Sequence, residues 1–109
     1  MNERVIAPIH PGRILKEEFL EPLEVSPGQL AIAMGVPSQR IYDVVAGKRG
    51  ITLDTALRLA KFFGTSHQMW LGLQAEYEFQ KAQDEGLVDR VAQEVRPLSP
   101  EQRKIVVAS

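Results

Sequence analysis

Apolar residues recur every three to four positions along most of the chain, the period that turns one face of a helix inward, and glycines and prolines divide this pattern into segments. The first predicted helix spans positions 11–20, with Ile14, Leu15 and Phe19 inward and Lys16, Glu17, Glu18 and Glu21 toward solvent; Pro22 is expected to stop it. Ser26 can cap a second helix with Pro27 in its first turn, and Leu30, Ala31 and Met34 share a face. Gly35 ends it by offering the left-handed conformation of a tight turn, Val36 pins that turn inward, and Pro37-Ser38 opens a third helix whose buried side is Ile41 and Val44. Gly50 breaks the chain again. Thr52 then caps a helix predicted to bury Leu53, Ala56, Leu57, Ala60 and Phe63 before Gly64.

Thr65-Ser66 opens a fifth helix, reaching about Ala82, with Trp70, Leu73 and Tyr77 on one face. Met69, Leu71 and Phe79 widen that stripe beyond what one small core needs, and a helix apolar on more than one side usually has a second partner. Trp70, Leu73, Tyr77 and Phe79 are therefore the expected dimerisation residues. After Asp84 the pattern weakens: Leu87, Val88, Val91, Ala92 and Val95 make about two amphipathic turns, ended by Pro97. Ser99 and Gln102 have capping-box spacing, but only Ile105, Val106 and Val107 follow, so the last dozen residues read as frayed or ordered by a partner. The expectation is an all-α fold: an arm over 1–9, a five-helix domain over 10–83 and a partly helical or flexible extension over 84–109.

The stretch from Ser26 to Arg49 has the side-chain grammar of a helix-turn-helix, which lays its second helix in the major groove of DNA. Two helices joined at a glycine occur in any all-α protein. Here the small Ala31 permits close crossing, Gly35 follows it, Ile41 falls inward, and Gly47-Lys48-Arg49 closes the second helix with adjacent positive charge. Ser38, Gln39, Arg40, Tyr42 and Asp43 are left facing outward, a set of hydrogen-bonding groups suited to base edges. Lys48 and Arg49 suit phosphate.

Composition narrows the class. At 109 residues, with 44% hydrophobic and 25% charged, the chain reads as one ordinary globular domain, small enough that dimerisation would add useful burial. No apolar run has membrane-spanning length and the first nine residues lack a signal-peptide core, so a cytoplasmic protein without a membrane partner is expected. There are no cysteines, and His10 and His67 stand apart, which leaves no disulfide, thiolate site, metal cluster or nucleophile–base pair; no cofactor and no enzymatic activity are expected. The net charge of -1 speaks against indiscriminate phosphate binding. Its distribution is uneven: from Pro37 to Lys61, Arg40, Lys48, Arg49, Arg58 and Lys61 outnumber Asp43 and Asp54, whereas the chain after Ala75 is net acidic. Arg58 and Lys61 read equally well as a solvated face.

Several blocks in order, His10-Pro11-Gly12 with Ile14-Leu15 and Phe19-Leu20, Gln29-Leu30-Ala31 to Gly35-Val36, Gly47-Lys48-Arg49-Gly50-Ile51-Thr52, Ala56-Leu57-Arg58-Leu59-Ala60, and Gly64-Thr65-Ser66 leading to Trp70-Leu71-Gly72-Leu73-Gln74, resemble the HigA family of antitoxins, a VapI-like branch of the phage-repressor helix-turn-helix proteins. The resemblance covers about two thirds of the chain. It implies a phage-repressor-like five-helix domain that dimerises, binds double-stranded DNA at an inverted-repeat operator, represses its own operon and neutralises a small basic toxin that cleaves messenger RNA. Two departures stand out: Pro27 occupies a place where many such repressors carry a phosphate-contacting glutamine, and Ser38 one where they often carry a base-contacting glutamine. By position, Gln39 and Asp43 inherit base reading, with Ser38, Arg40 and Tyr42 as base or phosphate contacts. The acidic, partly apolar stretch from Glu76 through Glu94 could attract a basic partner. A stand-alone regulator of the same fold remains the alternative.

Overall fold

The computed structural model describes residues 7–108, so part of the expected N-terminal arm lies outside the described residues. Every regular element among the described residues is helical. The first, α1, runs through Pro11–Ile14, a π-helical stretch Leu15–Leu20 and a last turn Glu21–Leu23. It continues past the expected stop at Pro22, because the wider π-turns before that proline, such as the Glu21 N–H bonding to the Lys16 carbonyl, relieve the clash its ring would make with the carbonyl four residues back in an α-helix. The helix ends instead at Glu24, in the left-handed region at φ 56°.

The next two helices are α2, Pro27–Met34, and α3, Ser38–Val45. Ser26 and Gln29 form a reciprocal capping box at the start of α2. At its end Gly35 sits at φ 72° and Val36 N–H returns to the Ala31 carbonyl at 3.0 Å, a closure that an L side chain at position 35 would strain. α4, Leu53–Phe63, and α5, His67–Asp84, are capped by Thr52 and Ser66. α6, Leu87–Glu94, and α7, Pro100–Ala108, complete the chain. Where fraying or ordering by a partner was expected, the final segment is helical, with Ser99 and Gln102 closing the capping box.

One core holds α1 to α5 together: Leu15, Leu20, Leu30, Ala31, Met34, Ile41, Val44, Ile51, Ala56, Leu59 and Trp70 are buried. Trp70 lies at its centre, with the Phe19 ring 4.9 Å and the Phe63 ring 6.0 Å away, and its Nε1–H donates to Thr65 Oγ1 at 2.8 Å. On α4 the inward stripe differs from the expected one. Thr55, Ala56 and Leu59 are buried, while Leu53 and Leu57 are exposed; the apolar residues at 53 and 57 lie a quarter-turn or more off the face that α2 and α5 cover. Among the described residues no helix is long and apolar enough to cross a membrane.

Candidate nucleic-acid interface

Helices α2 and α3 pack on each other around Leu30, Ala31, Ile41 and Val44, and α1 closes on α3 from behind. That last contact is made by backbone. A Cβ on Gly12 would lie 1.7 Å from the Val44 carbonyl oxygen, so only glycine lets the start of α1 meet the end of α3. The pose of α3 is thus fixed by the core, and its outward side carries the predicted readers.

Ser38 and Gln39 are exposed in the first turn of α3, Tyr42 is 49% exposed one turn later, and Asp43 is half-buried. Gln39 Nε2 donates to Asp43 Oδ1 at 2.7 Å, so the two expected base readers form one hydrogen-bonded unit. The Tyr42 hydroxyl reaches toward the N-terminus of α2, 3.8 Å from where a Gly28 Cβ would stand. Arg40 is only partly exposed: it pairs with Asp54 of α4, which also accepts from Arg58 Nε at 3.0 Å. These bonds, from Arg40 first and then Arg58, hold the Asp54 carboxyl below the usual carboxylate range. Arg58 further donates from Nη1 to the Met34 carbonyl at 2.8 Å, satisfying the end of α2. Arg58 is therefore a tie between α2 and α4, and Arg40 is tethered to the same carboxylate.

After α3 the chain turns at Gly47, φ 77°, and the N–H groups of Lys48 and Arg49 both return to the Asp43 carbonyl, at 2.8 and 3.2 Å. This brings two exposed cations to one end of the reading row. Ser38, Gln39, Tyr42 and Asp43 thus lie along the outward side of α3, with Arg40 at its margin and exposed Lys48 and Arg49 just past the helix end. The structure does not gather the four expected dimerisation residues on a free face. Trp70 is wholly buried, Leu73 packs on the core, and Tyr77 lies edge-on to His10 with ring centroids 4.9 Å apart; of the four, Phe79 alone is substantially exposed. The stripe was wide because α5 packs against α1 and α4 at once.

Comparison with known proteins matches this geometry. The helix-turn-helix family model fits residues 16–70. Virulence-associated protein I of Dichelobacter nodosus is 43% identical over 98 residues, 89% of this chain and 87% of that protein. The solved Pseudomonas aeruginosa antitoxin HigA with higBA promoter superposes with a TM-score of 0.76 at 41% identity, covering 84% of this chain and 99% of that one. The chain belongs to the HigA-like branch of the helix-turn-helix family. An uncharacterised HTH-type transcriptional regulator of Haemophilus influenzae is also similar, 39% identical over 65% of this chain and 66% of its own. Within the HigA-like framework, the sequence reading missed the roles of His10, Gln74 and Asp54. All three act on residues distant in sequence; for His10 and Gln74 the signal that could have found them is glycine at 12, 47 and 50, where side chains or backbone approach closely.

Proposed function

We propose that this protein is a homodimeric repressor that binds an inverted-repeat operator beside its own gene and is the antitoxin of a small basic toxin that cleaves messenger RNA. The observation that carries the DNA-binding part is the row of Ser38, Gln39, Tyr42 and Asp43 on a helix whose pose the core fixes, followed by exposed Lys48 and Arg49. Base-edge groups on a rigid helix choose the sequence and flanking cations hold the phosphates; the similar HigA of Pseudomonas aeruginosa was solved with promoter DNA. Pairing is supported by the two-fold symmetry of such operators and by exposed apolar side chains, Phe79 on α5 and Leu57 and Phe62 along a groove between α2 and α4.

Gln39→Ala should weaken operator binding by about 1 to 3 kcal/mol and relax preference at one base position. Lys48→Ala should weaken operator and random DNA alike and flatten the salt dependence. Titration of both variants against both DNAs separates the roles, and identical profiles would remove the assignment. The antitoxin part is tested by co-expression with the protein encoded next to this gene: growth rescue and a co-purifying complex are expected. Operator binding with neither would leave the second reading, a stand-alone regulator, which the similarity to the Haemophilus influenzae regulator favours.

A further inference from the structure

His10, ahead of α1, and Gln74, on α5, converge on the loop that carries Lys48 and Arg49. The His10 Nδ1 accepts from Gly12 N–H at 2.9 Å, which places the ring hydrogen on Nε2. The Arg49 backbone lies close enough to the same imidazole to favour its charged form, and with Nδ1 engaged it is Nε2–H that faces the Arg49 carbonyl. Its ring lies beside Gly47, 3.8 Å from the place of a Cβ there, and against the Tyr77 ring. From the other side Gln74 Oε1 accepts from Ile51 N–H at 2.8 Å, and its Nε2 donates to Glu78 at 2.8 Å. A Cβ on Gly50 would stand 2.8 Å from that amide, so the loop approaches Gln74 as closely as backbone permits.

The loop's far end is anchored by Ile51 in the core and its near end by the N–H groups of Gly47, Lys48 and Arg49, which return to the Val44 and Asp43 carbonyls. Between these anchors the Lys48 and Arg49 side chains are exposed, and Gly47 and Gly50 remove local stiffness. We infer that His10 and Gln74 are positioning residues for DNA binding, clamping the 47–51 loop so that Lys48 and Arg49 meet the phosphate backbone in a fixed register. This rests on the DNA-binding reading above. It also gives α5 a role at the interface without a DNA contact of its own: the clamp couples the helix bearing Tyr77 and Glu78 to the phosphate-binding loop.

Two variants test the clamp, each as the full chain. His10→Asn keeps an acceptor for Gly12 N–H, since asparagine caps helices well, but lacks the reach to donate to Arg49; Gln74→Met keeps the bulk and removes both hydrogen bonds. The first readout needs no DNA. The Lys48 and Arg49 amides should exchange with solvent roughly tenfold faster or more in both variants, a larger change than at core amides such as that of Leu59, which report any loss of global stability. The second uses a duplex from upstream of the protein's own gene. The slope of log affinity against log salt should become shallower by about 1 to 2 as phosphate contacts are lost, while the preference for that duplex over random DNA is retained. A residue that only stabilised the fold would lower Tm and leave the slope unchanged. Unchanged exchange at Lys48 and Arg49 in both variants overturns the inference, as does an unchanged slope. Failure of the unmodified chain to bind any duplex defeats the DNA-binding reading instead, and the exchange measurement still decides whether the loop is clamped.

Discussion

A single hydrogen atom's replacement at Gly12 should be among the most damaging changes available to this chain. The backbone of α1 meets the Val44 carbonyl with no room for a methyl group, so Gly12→Ala must push α1 and α3 apart. We expect a loss of about 3 kcal/mol in thermal or denaturant unfolding. His10 offers a gentler probe. Burial holds its pKa below the ordinary imidazole value of 6.5, with the nearby Arg49 backbone opposing part of that shift. Folding therefore favours the neutral ring: its contribution to stability is complete above pH 6.5 and is lost as the pH falls through the lower folded value. Lys48, Arg49, Glu78 and Lys81 line the same surface depression as the ring. Unfolding followed from pH 7.5 down to about 5 should show this loss in the unmodified chain and a flatter profile in His10→Asn.

At the scale of elements, the tie between α2 and α4 is the arrangement most open to test. Arg58 is 43% exposed and its pairing with Asp54 is screened by solvent; its bond to the Met34 carbonyl is the better sheltered of the two. Arg58→Ala should cost on the order of 1 kcal/mol in unfolding measurements. The five helices of the domain and their caps at Ser26, Thr52 and Ser66 were legible in the sequence because each depends on residues a few positions apart. So was the outward row from Ser38 to Asp43. What could not be read were relations between helices: which flank of α4 faces inward, how much of the α5 stripe its own protomer consumes, and that Arg40 and Arg58 share one carboxylate. Periodicity specifies a face only to within a quarter-turn, and only packing decides between Leu57 and Thr55.

The whole molecule is elongated, with a radius of gyration of 18.3 Å and a longest extent of 55 Å, against about 13 Å expected for a compact chain of 100 residues. The excess comes from α6, α7 and their connection, where the apolar side chains of Leu87, Val91, Val95 and Leu98 remain exposed at 45% or more. Because the buried core lies in α1 to α5 and the preceding loops, truncation after Asp84 should change the unfolding free energy by less than about 1 kcal/mol. Sedimentation of both forms at tens of micromolar should locate the pairing surface. A full-length mass near twice 12.2 kDa with a monomeric truncation would assign it to the extension, and two dimers would assign it to the domain.

The bond between Gln39 and Asp43 bears on how such a protein changes its target over generations. On the proposed DNA-binding reading, these two base-contacting side chains are not independent, because altering either releases the other to point elsewhere. Combined substitutions at 39 and 43 should accordingly be non-additive in operator affinity, with a coupling of about 0.5 kcal/mol or more in a double-mutant cycle. A lineage leaving its ancestral operator would then pass through variants that read poorly at both positions, and the shortest path to a new operator is a joint replacement of the pair.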